Sequence, residues 1–202
     1  MREFEDPSST VTEYRPTLAT ASQHLIASVE DANSFFPIYA DNVHRHGTPG
    51  LPQSWFEALA CAFGDDCSVL VVRDAAGNPV SAVTSFWFRG TALPYYAGDY
   101  ESARGLAAND FKYWQLMCLA AERGCTVFDY GRSKVGSGPY DFKRNWGFEP
   151  TVLNYEYRLL SRASVPQNNP NNPKFKLMID TWRRLPRPVV NWLGPKIVRG
   201  LG

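Results

Sequence analysis

Chemistry is densest in Asp129-Tyr130-Gly131-Arg132-Ser133-Lys134, which sets a carboxylate, a guanidinium, a hydroxyl and an ammonium within one short stretch. The carboxylate is a proton acceptor. Arg132 and Lys134 form an anion clamp, the guanidinium bidentate and the ammonium a point charge. Gly136, Gly138 and Pro139 follow, so the backbone must turn there. Thr126-Val127-Phe128, just before, is short and β-prone. A buried strand that delivers charges at its C-terminal end and then meets a glycine turn is where open α/β sheets place ligands. The competing reading is a turn in which Asp129 pairs with Arg132 or Lys134 and only closes the sheet. Ser133 and Ser137 serve equally well as turn hydroxyls. Lys143 and Arg144, on a short helix ended by Gly147, extend the anion site or form a solvated face. Tyr95 and Tyr96 fall on an extended segment, whose alternation sends the two rings to opposite sides.

Holding that stretch in place takes a sheet and a long helix. Helical spacing starts at Ala19 and runs through Leu25, Ile26 and Val29. A second helical segment carries Phe35, Phe36, Ile38 and Tyr39, opened or kinked by Pro37. His44 to Gly50 is a loop enforced by glycine and proline. Leu51 to Phe63 predicts a helix with proline in its first turn and Trp55, Phe56 and Leu59 inward. Ser68 to Val72 and Val80 to Phe88, joined by the Gly77-Asn78 turn, read as an antiparallel hairpin. Thr91 to Tyr96 is a third strand with an irregularity at Pro94, and Gly98 to Gly105 is a loop.

The longest helix, Leu106 to Glu122, carries Phe111, Trp114, Gln115 and Cys118 on one face. Leu116, Met117, Leu119 and Ala120 broaden the stripe, which must pack on a sheet. Phe148 to Leu160 alternates as a last strand. This order of elements is a mixed α/β sheet with helices on both faces. Residues 1–18 read as a loosely ordered N-terminus, 19–160 as the α/β domain and 161–173 as an Asn/Pro linker. Residues 174–202 read as a basic amphipathic tail, with Phe175, Met178, Ile179 and Trp182 on one side of its first helix.

Net charge is only +1, but it is unevenly placed. From Asn171 to Gly202 there are seven Lys/Arg against one acid, Asp180, which leaves 14 basic and 19 acidic residues in the first 170. The asymmetry points toward an anionic partner for the tail, which either packs onto the body or meets a membrane surface or a partner helix. Cys61, Cys67, Cys118 and Cys125 show no C-x-x-C spacing and sit in apolar runs, the pattern of buried reduced thiols rather than of zinc ligands. His44 and His46 flank a glycine loop with no third metal ligand in view. There is no Ser-His-Asp order and no G-K-[ST] phosphate loop. The N-terminus lacks the apolar core of a secretory signal, and no apolar run nears the roughly 18 residues of a membrane span. The expected place is the cytoplasm, with the inner face of the membrane open to the tail.

Asn145-Trp146-Gly147-Phe148 closes a short helix on a Gly-Phe step, as in the second half of a GNAT-type acyltransferase domain. Gly47-Thr48-Pro49, Pro94-Tyr95-Tyr96-Ala97-Gly98 and Asn109-Asp110-Phe111-Lys112-Tyr113-Trp114 follow the order expected of FemAB-like proteins. So do the segments from Phe128 to Lys134 and from Phe142 to Phe148. Across Phe35 to Leu160 the chain thus resembles the FemAB-like proteins, in particular the group associated with exosortase/PEP-CTERM systems. The resemblance implies a GNAT-like (acyl-CoA N-acyltransferase-type) fold and transfer of an aminoacyl or acyl group to an amine of a cell-envelope or exopolysaccharide precursor. The implied donor is aminoacyl-tRNA in preference to acyl-CoA, with no resident cofactor and no metal. Two departures stand out. Well-studied relatives carry two such domains, and this chain has length for about one. The GNAT pyrophosphate loop is also missing: Ala97 to Gly105 holds Asp99 and Glu101, two carboxylates that would repel a pyrophosphate.

Acyl transfer to an amine requires a deprotonated amine, donors for the oxyanion and a proton for the leaving group. In that chemistry Asp129 orients or deprotonates the amine, and Tyr96 protonates the leaving group. Arg132, Ser133, Lys134, Tyr95, Lys143 and Arg144 bind the substrate, an anionic envelope or glycan precursor, with tRNA as a further partner. A second reading is a non-catalytic GNAT-like module that binds a glycan precursor or a partner protein. A third is an acetyl-CoA-dependent N-acetyltransferase.

Overall fold

The computed structural model describes residues 21, 23–160 and 173–199. The predicted loose N-terminus, nearly all of the predicted linker and the side chain of Phe175 lie outside them. Five strands form one sheet in the order β1-β2-β3-β4-β5. The strands β1 (Leu25–Glu30), β2 (Cys67–Asp74), β3 (Pro79–Phe88) and β4 (Thr91–Asp99) pair antiparallel in succession. β5 (Val127–Phe128) joins β4 in parallel. The predicted hairpin is β2–β3. Its turn is organised by Asp74, whose carboxylate accepts the N–H groups of Ala76 and Asn78 at 3.0 and 2.8 Å.

Alternation along β2 sorts the core into two layers. Val69 and Val71 face α1 (Ala32–Arg45) and α2 (Gln53–Phe63), where Phe35, Ile38, Tyr39 and Phe56 fill the space. Leu70 faces α3 (Ala108–Glu122) through Leu116, Met117 and Ala120. Phe35 and Ile38 are both 0% exposed, and burial of side chains that size contributes about 1.5–3 kcal/mol each. Helices thus cover both faces of the sheet. α1 starts where Asp31 accepts the Ser34 N–H at 2.9 Å, an N-cap. Pro37 lies inside the helix and does not open it. The helix sits tightly on the sheet at Gly98, where a Cβ would meet Ile38 O and Tyr39 Cα, each at 2.9 Å.

Four expectations are corrected. Leu25 to Val29 is a strand, because pairing with β2 outweighs a short helical period. The buried row of α3 is Ala108, Lys112, Leu116 and Ala120, each 0% exposed, while Trp114, Gln115 and Cys118 lie at its flank. A lysine is the centre of that row. Residues 149–159 form no strand: every residue there is exposed, with Val152, Leu153, Tyr155 and Tyr157 in solvent. The period-2 pattern is present, but among the described residues no neighbour takes up its hydrogen bonds as a ladder. Finally, only Cys125 of the four free cysteines is buried.

α4 (Gly138–Asn145) follows the glycine turn, and α5 (Pro173–Arg184) and α6 (Arg187–Val198) form the tail. Trp182, Val190 and Gly194 are buried. They dock on the loop after α1, where Gly194 lies against the Gly50 backbone and Ile179 leaves no room for a Cβ on Gly47. The His44 ring contacts the Trp182 carbonyl at 3.1 Å, and the Arg187 guanidinium donates to the buried Asp41 carboxylate. One side of the tail is therefore part of the body.

Candidate active site

The site begins where the sheet splays. β5 pairs with β4 only through Thr91 and Ala92, and the last rung is the Asp129 N–H donating to the Ala92 carbonyl at 2.9 Å. Beyond it the two backbones part. On the other edge of β4 the register to β3 slips between Thr84, opposite Tyr96, and Ser85, opposite Pro94, leaving Tyr95 as the extra residue of a bulge. Pro94, which has no N–H to donate, sits where the ladder is interrupted. The bulge breaks the alternation, so Tyr95 and Tyr96 do not point to opposite sides as expected. Their rings lie side by side with centroids 4.9 Å apart.

Tyr95 is exposed and continues through Phe86 to Phe63 as an edge-to-face row, with centroids 5.9 and 5.0 Å apart. Tyr96 takes a hydrogen bond from the Trp55 indole at 3.2 Å. Indole N–H only donates, so the phenol oxygen is the acceptor, and its own proton has no acceptor among the described residues.

On the far side of the splay the loop after β5 is held from within. The Asp129 carboxylate accepts the Gly131 N–H at 2.8 Å through Oδ1, and Gly131 takes φ +64°, the left-handed region suited to glycine. Among the described residues Asp129 makes no ion pair, so the predicted pairing with Arg132 or Lys134 is not formed. Lys143 reaches back from α4 and donates to the carbonyls of Tyr130, Gly131 and Arg132 at 2.6, 3.1 and 3.4 Å. Burial lowers its pKa, and the Asp129 charge works against that fall. Its ammonium is committed to shaping the loop.

Arg132 is exposed and hydrogen-bonded to Tyr155. That bond, with the phenols of Tyr155, Tyr95 and Tyr157 nearby, raises its pKa. Ser133 keeps a buried hydroxyl with no hydrogen-bond partner among the described residues. Lys134 points to solvent, its carbonyl taken by the Ser137 hydroxyl at 2.6 Å. Arg144 lies over the Tyr140 ring of its own helix at 5.9 Å, outside the cluster. The structure therefore brings together Lys143 with the Asp129–Arg132 loop, and Arg132 with Tyr95.

Sequence reasoning missed two features. Tyr155 and Tyr157, read as strand residues, stand beside Arg132. Lys112, wholly buried on α3, forms an ion pair with Asp99 at 2.8 Å, and Ser81 donates to the same carboxylate oxygen. Burial pushes the Asp99 carboxyl up, but Lys112 and Ser81, with Arg45, outweigh it and hold the pKa below its ordinary value. Asn42 and Arg45 cap the Asp99 carbonyl. The signal was a lysine spaced four residues from Ala108 and Leu116. Asp99 is thus a neutralised strand end, and of the two carboxylates in that loop Glu101 is the exposed one, 3.7 Å from Arg104. Among the described residues no group of three or more His, Cys, Asp or Glu is arranged to hold a metal.

A mixed sheet, antiparallel until its last pair splays apart, with a bulged strand facing a charged loop across the gap, is the architecture of GNAT acyltransferases. The acetyltransferase (GNAT) domain family matches residues 12–144, well over half of the chain, and the protein belongs to it. Among solved structures it is similar to FemX, with a TM-score of 0.64 at 14% identity, over 71% of this chain and 56% of FemX. It therefore spans little more than half of that relative. It is also similar to the aminoglycoside acetyltransferase meta-AAC0020 from an uncultured soil metagenomic sample, with a TM-score of 0.53 at 14% identity, over 69% of this chain and 99% of that one. The ribosomal-protein-alanine N-acetyltransferase of Brucella melitensis biovar Abortus gives a TM-score of 0.52 at 14% identity, over 67% and 99% of the two chains. At such identities the likeness is one of fold. No curated protein matches the chain.

Proposed function

We propose that this acyltransferase is of the FemAB type and passes an aminoacyl or acyl group to an amine on a cell-envelope or exopolysaccharide precursor. The observation that supports the reading is the splay between β4 and the 129–132 loop beyond their last rung at Ala92 and Asp129, with Tyr96 on β4 four residues after Ala92. Asp129 has one oxygen occupied by Gly131, and the other is left to take a proton from the amine. The amine nitrogen then bonds to the acyl carbon, and the carbon–oxygen bond to the donor breaks. Tyr96 supplies the proton to the departing oxygen. Arg132 and Lys134, both exposed, meet the phosphates of donor or acceptor. Likeness to FemX supports the fold side of this reading.

A second reading, an acyl-CoA donor, gains from one observation. The Asp99 charge, expected to repel a pyrophosphate, is balanced by Lys112.

A thermal-shift comparison with aminoacyl-tRNA, with acetyl-CoA and with neither separates the two. A ligand of the native state raises the melting temperature by the free energy RT ln(1 + [L]/Kd). A rise with aminoacyl-tRNA alone is the expected result. A rise with acetyl-CoA alone replaces the FemAB reading with an acetyl-CoA enzyme, and no rise with either leaves the binding-module reading in place of both.

A further inference from the structure

The tail docks one side of each helix on the body and leaves the other side in solvent, and that outer side is neither polar nor random. On α5, Leu177, Thr181 and Arg184 share a face at spacings of four and seven residues, opposite the buried Trp182. On α6, Trp192, Lys196 and Arg199 repeat the same spacing, opposite the buried Val190 and Gly194. Each face thus carries a large apolar side chain followed by cationic residues, Arg184 on α5 and Lys196 with Arg199 on α6. Leu177 is 76% and Trp192 65% exposed, and Met178, one turn before the buried Trp182, is 64% exposed at the rim of that face. The Lys196 ammonium lies 3.4 Å from the centroid of the Trp192 ring. Arg183 and Arg187 are turned to Asp180 and Asp41, whereas Arg184, Lys196 and Arg199 have no carboxylate within ion-pair distance among the described residues.

We infer that the outer faces of α5 and α6 bind an anionic lipid surface, holding the acyltransferase domain at a membrane without crossing it. Among the described residues no helix is long and apolar enough to span a bilayer. Amphipathic helices with bulky apolar groups and a cationic rim instead lie in the interface, apolar side chains in the acyl boundary and cations at the headgroups. Charge favours lipid as occupant. The tail carries seven Lys/Arg and one acid, while acids outnumber bases in the rest of the chain, so the tail alone is drawn to an anionic surface. A phosphate backbone would use the cations but has no place for Leu177 and Met178. A second copy's tail would set cation against cation. The inference is independent of which acyl donor the domain uses.

The test is co-sedimentation of the full chain with vesicles of phosphatidylcholine alone and of phosphatidylcholine mixed with phosphatidylglycerol, at low and high salt. Binding is expected only to the mixed vesicles, and weaker at high salt. A Leu177→Glu, Trp192→Glu double variant and an Arg184→Glu, Lys196→Glu double variant should each bind at least about tenfold more weakly, with unchanged melting temperatures. Absence of binding to the mixed vesicles overturns the inference. So does a Leu177→Glu, Trp192→Glu variant that binds as before, because the surface would then act by charge alone. Retention of tRNA on a filter that is lost in the charge variant, with no vesicle binding, reassigns the surface to RNA.

Discussion

Single side chains make two predictions of different kinds, one on the proposed chemistry and one on stability. Asp129 holds Gly131 through one oxygen, a bond that asparagine preserves through its own carbonyl oxygen. Asp129→Asn should therefore melt like the parent, while turnover falls by about 10²–10⁴, the usual contribution of a positioned acid or base. Unchanged turnover in a steady-state assay with the identified donor would remove Asp129 from the chemistry. Lys112 has the opposite character. It is wholly buried and opposes a carboxylate that Ser81 also touches. Lys112→Met should cost about 1–3 kcal/mol in urea unfolding, because it takes the ammonium partner from a half-buried carboxylate, Asp99, whose side chain is 30% exposed. Adding Asp99→Asn should recover much of that loss. Neither side chain's hydrogen-bonding state was legible from residue type. Asp129 could be read as base or salt bridge; it accepts from Gly131 and makes no ion pair among the described residues, which removes the salt bridge and leaves the base as a proposal. Lys143, read as a surface or anion-site lysine, proves to be spent on three carbonyls.

Elements decide where those side chains meet. β4 is positioned from above by α1, and the contact is backbone against backbone at Gly98. Gly98→Ala would push the helix off the strand that carries Tyr95 and Tyr96. A loss of about 1–3 kcal/mol is expected, the range for overpacking, measured as a lowered urea midpoint at unchanged slope. A variant as stable as the parent would mean that α1 can slide without cost. At this scale the hairpin β2–β3 and the positions of helices α2 and α3 were legible, because long apolar runs and glycine punctuation are strong local signals, although Trp55, expected inward on α2, is exposed. The bulge at Tyr95 was visible only as a proline irregularity. Its consequence, two adjacent tyrosines on the same side, depends on a register slip against β3 that no local pattern encodes. The segment after Phe148 shows the reverse failure: its alternation is genuine, yet a strand also requires a partner edge.

The whole molecule is tied together by ion pairs that run between distant segments. Glu30 at the sheet edge is gripped by the Arg73 guanidinium at 2.7 and 2.9 Å. Those hydrogen bonds lower its pKa from 4.5 to about 2 against the opposing effect of burial. The folded value lies below the unfolded one, so the stabilisation is complete above pH 4.5 and lost as pH falls toward 2. Acid unfolding followed by circular dichroism should show this loss in the parent, and Glu30→Gln should give a flatter stability profile across the same window. Equal slopes would mean that the pair contributes nothing to acid stability. At the other end Arg187 joins the tail to Asp41, a carboxylate that Arg45 also holds at 2.9 Å. The tail is thus anchored on one side and free on the other, which is what gives its outer face a fixed orientation.

From the sequence alone came the class of fold, the basic tail and the concentration of charge after β5, because all three are written in apolar periodicity, composition and glycine placement. The tertiary structure alone decided which charges are spent and which are free. Asp99, read as a charge in an open loop, is neutralised by a lysine thirteen residues later on a different element, and Lys143 is consumed by carbonyls. The physical reason is that periodicity reports which side of an element is apolar, whereas the state of a charge is set by whatever the fold brings within about 3 Å of it, a long-range property.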